Sequence, residues 1–158
     1  MAKKFLCEHC GFELFMNAST GVCALITDCR NRLLVTMRAR QPAQSQLDLP
    51  GGFVDPGETA EHAIRREVKE ELGLEVETLS YFCSEANTSY IYGGVNYQSL
   101  DLAFICQVRS PSLARADDDV QSVHFVSLEE VNPQAFGFIS IRKIVRRFCD
   151  DRQALQNR

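Results

Sequence analysis

No run of apolar residues in this 158-residue chain approaches the roughly 20 needed to cross a bilayer. The opening MAKKFLCEHCG has lysines but lacks the apolar stretch of a secretory leader. The expectation is a soluble, cytoplasmic protein with no membrane among its partners. Positive charge is not in excess either: at a formal net charge of −4, nothing in the balance suits a protein that coats nucleic acid. Linkers rich in Pro, Gly or Ser, internal repeats and low-complexity segments are also missing, which leaves one folded unit large enough to bury a core. A disulfide framework is a poor fit to seven cysteines, an odd number, several of them inside apolar runs such as GVCALI and AFICQV. Buried free thiols in a reducing compartment explain them better.

What is present alternates between strand and helix patterns. Gly21 to Thr27 and Leu33 to Arg38 read as a β-hairpin or two neighbouring strands around a turn at Asp28 to Asn31. Residues 41 to 57 hold Pro42, Pro50, Gly51, Gly52, Pro56 and Gly57, which excludes regular helix and leaves a loop with one short strand at Leu47 to Leu49. Strong helix formers follow from 58 to 72, and Gly73 stands where a C-terminal cap belongs. Val76 to Ala86, Tyr90 to Tyr97, Leu100 to Val108 and Ser122 to Val126 read as four further strands. Ile141, Ile144, Val145 and Phe148 then recur at helical spacing in a terminal helix from Ile139 to about Leu155. The fold class is α/β, a sandwich around a mixed sheet.

Within the central helix, Ile64, Val68 and Leu72 form an apolar stripe, and Glu67, Glu70 and Glu71 lie about a quarter turn from its centre. Carboxylates three and four residues apart share a face and repel. Arg66 can pair with Glu70, which leaves Glu67 and Glu71 as a like-charge pair. Such an edge is either a solvated acidic face or a holder of cations; hard divalent ions such as Mg2+ take a few carboxylates together with phosphate and water. The loop rich in Pro and Gly that runs into the helix could bring backbone groups close to a ligand.

These residues resemble a known family. GGFVDPGETAEHAIRREVKEELGL, residues 51 to 74, is similar to the Nudix box, G-x5-E-x7-R-E-U-x-E-E-x-G-U with U apolar. Gly52, Glu58, Arg66, Glu67, Val68, Glu70, Glu71, Gly73 and Leu74 fill every position. VTMRAR, QLDLPGG and VHFVSLEEV also look like their counterparts in Nudix hydrolases. The resemblance implies an α/β/α sandwich over residues 18–158, preceded by an N-terminal segment, 1–17. It also implies hydrolysis, dependent on Mg2+ or Mn2+, of a pyrophosphate bond in a nucleoside diphosphate linked to another moiety, of the ADP-ribose, dinucleotide or nucleotide-sugar class. Two other uses stay open: hydrolysis of (deoxy)nucleoside triphosphates, or a ligand-binding sensor without catalysis. A homodimer fits the family habit.

Carried over position by position, the resemblance makes Glu67 and Glu71 the principal metal ligands, Glu70 a ligand or base, and the Gly51 carbonyl a backbone ligand. Glu58 and Arg66 complete the catalytic set by orienting the others. Outside the box, Glu85, Asp101, Asp117, Asp118 and Asp119 are alternative bases or ordinary surface acids. Arg38 and Arg40 could grip phosphate or be solvated strand ends, and Gly52 and Phe53 flank the substrate. Tyr90, Tyr92 and Tyr97 could stack on a base or simply pack. Cys7-x2-Cys10 with Gly11 resembles half of a zinc ribbon and supplies two candidate zinc ligands, although a structural site needs four and the chain has no second C-x2-C. A SQPWPFP-like stretch, expected after the box in relatives that act on NADH, is absent.

Overall fold

The computed structural model describes residues 4–15 and 17–156, apart from the side chains of Ser89, Tyr92 and Gln156. A small hairpin comes first, β1 (Lys4–Leu6) against β2 (Glu13–Phe15). The body follows as β3 (Ser19–Leu25), β4 (Arg32–Arg38), β5 (Leu47–Asp48), β6 (Gly51–Phe53), α1 (Ala60–Leu72), β7 (Val76–Tyr92), β8 (Val95–Val108), β9 (Val120–Ser127) and α2 (Ile139–Gln156). Neither helix is long and apolar enough to cross a membrane.

Period-two alternation along β3 divides the core. Val22, Ala24 and Ile26 point to the same side as Ala63, Ile64, Val68 and Leu72 of α1. Cys23 and Leu25 face the opposite side, with Ile141, Ile144, Val145 and Phe148 of α2. With side chains on both faces removed from water, the middle strands read as continuous apolar runs, and a helix covers each face. The result is the expected sandwich.

The sheet itself is divided. A mixed sheet runs in the order β6-β3-β8-β7, with β3 and β8 parallel, beside an antiparallel sheet β5-β4-β9. The β3 and β4 segments meet as a hairpin only at its tip, where Thr27 bridges Leu33 and the Leu34 N–H donates to Ile26 O. Farther along, both edges of β3 are taken by β6 and β8, so β4 satisfies its backbone with β5 and β9 instead.

Two strand boundaries differ from the sequence reading. Tyr90 to Tyr97 is not a strand of its own. Gly93 (φ 57°) and Gly94 (φ 79°) form the two-residue turn of one long hairpin, β7 with β8, because only positive φ at both positions matches the twist of the flanking strands. The second difference is β6, hidden in the stretch rich in Pro and Gly because glycine carries almost no strand signal. It pairs antiparallel with β3, Gly21 opposite Phe53 and Cys23 opposite Gly51.

Candidate active site

The start of α1 is fixed locally. Thr59 caps it with an extended backbone, its hydroxyl accepting the His62 N–H at 3.2 Å, and at the other end Gly73 takes the left-handed conformation and donates to Lys69 O. With the apolar stripe seated on the sheet, the next edge of the helix faces β6. A Cβ at Gly51 would lie 2.8 Å from Cys23 Cα and 2.9 Å from the Val22 carbonyl carbon, and one at Gly52 would strike the Glu67 carboxylate. Two glycines are what let the backbone pass between β3 and the acidic edge.

The three glutamates are treated differently. Glu71 is buried, 9% exposed, and accepts the Gly51 N–H at 2.9 Å. Burial pushes its carboxyl up to about 8, with the nearby Glu67 and Asp48 charges acting in the same direction and the Gly51 N–H against it. Glu67 is also raised by burial, against the pull of Arg66. Glu70 is half exposed. Arg66 is the hub: its Nη1 meets Glu67 Oε1 at 2.8 Å and Glu70 Oε2 at 3.1 Å, while Nε and Nη2 meet the two Glu58 oxygens at 3.1 and 3.0 Å and Nη2 also reaches Phe53 O. Arg66 hydrogen bonds hold the Glu58 carboxyl below its ordinary value. The sequence reading gave Arg66 to Glu70 alone. In the structure the planar fork also takes Glu67, and Glu71 is the carboxylate left without a cation.

These groups open on a cleft of about 330 Å3. Glu67, Glu70, Glu71, Gly51, Gly52, Phe53, Arg38 and Arg66 all line it, and so do Asp101, Asp118 and Asp119. Arg40 does not line it. Its guanidinium lies exposed in a 2.7 Å pair with Asp119. Asp117 and Glu85 stand outside the lining as well, Glu85 within 3.3 Å of Lys143. Arg38 is already engaged, donating to Asp48 Oδ2 at 2.9 Å and Pro42 O at 2.8 Å and lying 5.0 Å from the Phe138 ring centre. The Tyr92 side chain, a candidate substrate contact, falls outside the described residues.

On the far wall, the sequence reading offers Asp101 and Tyr90 as candidates but misses Asp48, Phe138 and Ser140. Asp48 is buried and pushed up to about 6 by burial despite Arg38. Tyr90 packs against Phe53, Phe138 and Tyr97 at ring-centre separations of 5.9, 5.5 and 6.1 Å. Asp101, raised by burial, accepts the Ser140 hydroxyl on Oδ2 and that of Ser99 on Oδ1 at 3.4 Å. No local pattern marks Phe138 or Ser140, which come from the approach to α2 and its first turn.

Among the described residues, seven carboxyl groups line the cleft against two guanidinium groups. Hard oxygen donors in that excess suit a divalent cation, although among the described residues no three His, Cys, Asp or Glu side chains are gathered into a holding geometry. Arg66 accounts for this at the acidic edge, since it holds Glu67 and Glu70. At the N-terminus, backbone N–H groups of Cys10 and His9 lower the Cys7 thiol, and among the described residues Cys7 and Cys10 belong to no such cluster of three or more.

The geometry supplies a helix on each face of a mixed sheet and an acid-lined cleft at the edge of one helix. The NUDIX domain model matches residues 18–148, and the chain belongs to that family, whose hydrolases generally use a divalent metal such as Mg2+ or Mn2+. It is 30% identical over 137 residues to an ADP-ribose pyrophosphatase of Methanocaldococcus jannaschii, covering 87% of this chain and 78% of the relative. It is 26% identical to the NAD-capped RNA hydrolase NudC of Chromobacterium violaceum over 91% of this chain and 51% of that protein, so it spans about half the length of that relative. The E. coli ORF135 protein shares the fold at a TM-score of 0.71 and 25% identity, with 88% of this chain and 94% of that one covered.

Proposed function

We propose that the chain is a divalent-cation-dependent pyrophosphohydrolase acting on a nucleoside diphosphate linked to a second moiety, with ADP-ribose the first candidate. The observation that carries this reading is the charge of the cleft. A diphosphate is an anion, and seven carboxyl groups against two guanidinium groups would repel it, so substrate can enter only together with cations. The name of the M. jannaschii relative supports the substrate class.

Glu67, Glu70 and Glu71, with the Gly51 carbonyl, are the groups that would hold the ions. A bound cation supplies charge neutralisation of the phosphate oxygens and a lower pKa for water. Glu58 acts through Arg66, keeping its fork fixed so that Glu67 and Glu70 stay aimed along one edge. Gly52 gives the substrate bare backbone to approach, and Phe53 shields one side from water. Arg38 can turn from Asp48 toward phosphate, whereas Arg40 at the rim attracts the anion from outside. Asp118 and Asp119, which line the cleft, are candidates outside the box to receive a proton from the attacking water.

The test is release of AMP from ADP-ribose, followed across a panel of dinucleotides, nucleotide sugars and nucleoside triphosphates with Mg2+, Mn2+ or chelator. Turnover of a linked diphosphate that chelation abolishes and either ion restores is expected. Activity confined to triphosphates would move the protein to the other branch of the family, and silence across the panel would defeat the enzyme reading.

A further inference from the structure

One row of the mixed sheet sets an aromatic ring, a glycine and a carboxylate side by side. Phe53 on β6 and Asp101 on β8 both pair with Gly21 of β3, so the two side chains leave the same face of the sheet from strands roughly 10 Å apart. Nothing projects between them. A Cβ at position 21 would stand 2.6 Å from Asp101 Oδ1, which means the carboxylate leans across the bare strand toward the Phe53 side. The row ends at Glu85, opposite Asp101 on β7 and within 3.3 Å of Lys143.

The carboxylate is held in place. Ser140, in the first turn of α2, donates its hydroxyl to Oδ2, while the Ser99 contact to Oδ1 is long at 3.4 Å. A carboxylate oxygen has two lone pairs, so Oδ1 keeps acceptor capacity toward the cleft. Over the same space stand the rings of Phe53, Tyr90 and Phe138, all lining the cleft. Apolar planes beside a fixed, acceptor-only group describe a seat for a flat heterocycle that presents N–H at its edge.

We propose that Asp101 is a base-selecting residue, reading the exocyclic amino group of adenine while the ring lies against the aromatic wall. This rests on the reading of the cleft as a nucleotide-diphosphate site and narrows it to amino-bearing bases. Adenine offers the N6 hydrogens to Oδ1; hypoxanthine, which carries a carbonyl at the same place, sets oxygen against oxygen. A site built around a hydrogen bond rejects the analogue lacking it far more strongly than a merely apolar pocket would.

The experiment compares AMP with IMP by calorimetric titration in Mg2+, and ADP-ribose with its hypoxanthine counterpart by kcat/KM, in the wild type and in Asp101→Asn. The wild type is expected to favour adenine by about 30- to 100-fold in both readouts. In Asp101→Asn, whose amide can donate as well as accept, the preference should shrink to about threefold or less. A wild type that binds AMP and IMP equally overturns the proposal, as does a variant that loses affinity for both without changing their ratio, the signature of a structural role. Should neither linked diphosphate be hydrolysed while AMP still outbinds IMP, the base-selecting role stands and the catalytic reading falls.

Discussion

The acidic edge of the cleft and its aromatic far wall are built in opposite ways. The edge is local: Gly51 through Gly73 supply both glycines, the cap, the apolar stripe, three clustered carboxylates and the arginine that aims two of them. The far wall draws on β4, β5, β7, β8 and the approach to α2, so that Arg38 meets Asp48, Asp101 meets Ser140 and Tyr90 meets Phe138 across separations of 10 to 48 residues. Helical periodicity concentrates charge without help from the rest of the chain. Shape, by contrast, needs the whole topology, so the proposed chemistry rests on a local segment and the proposed selectivity on distant ones.

The most damaging way to break that contrast is Glu71→Gln. Glutamine keeps the shape and can still accept the Gly51 N–H, but it cannot ionise to hold a cation as the proposed role requires. Metal-dependent turnover should fall by about a thousandfold or more. The melting temperature should hold, because burial and not attraction dominates the environment of this carboxyl. Single-turnover assays beside thermal melts measure both. Near-normal turnover in a folded variant would take Glu71 out of the mechanism.

A second variant probes the wall through pH. Asp48 is 7% exposed and paired with Arg38 at 2.9 Å, yet burial lifts its carboxyl to about 6 from 3.8. The folded state therefore binds this proton more tightly than the unfolded state does. The group's contribution to stability is full below about pH 4 and is lost as pH rises through 6. That loss is at most about 3 kcal/mol, and Asp48→Asn should not suffer it. In urea unfolding at pH 4.5 and 7.5, the variant should gain on the wild type at the higher pH; a constant difference would show that the pair is not strained by burial.

Legibility follows the same division. Helix α1 could be read almost to the residue, since stripe, cap and Gly73 all lie within reach of one another. The terminal helix also followed from the spacing of Ile141, Ile144, Val145 and Phe148, whereas a helix on each face was implied by the family resemblance. Strand β6 was hidden, because its glycines are there to avoid β3 and Glu67 and so weaken the very pattern that marks a strand. The division of the sheet was hidden as well, being settled by which strand edges remain free. At the site, the Nudix box named the glutamates, but Arg66 serving Glu58, Glu67 and Glu70 together needed three dimensions. Arg40 illustrates the reverse case: two residues from Arg38 in sequence, it ends outside the lining against Asp119.

The mildest perturbation tests how self-sufficient the edge is. Thr59 holds the first turn of α1 through one hydrogen bond, from the His62 N–H to its hydroxyl, and no side chain of the cleft depends on it directly. Thr59→Ala leaves that N–H to water and should cost about 1 kcal/mol, a drop of a few degrees in melting temperature for a chain of this size. Glu67, Glu70 and Glu71 lie two to three turns farther along, beyond the reach of fraying, and the stripe of Ala63, Ile64, Val68 and Leu72 pins that part of the helix to the sheet. Metal activation should therefore keep its midpoint while stability falls. If the midpoint for Mg2+ or Mn2+ moved with the melting temperature, the carboxylates would be positioned by the whole helix rather than by their own turn and Arg66.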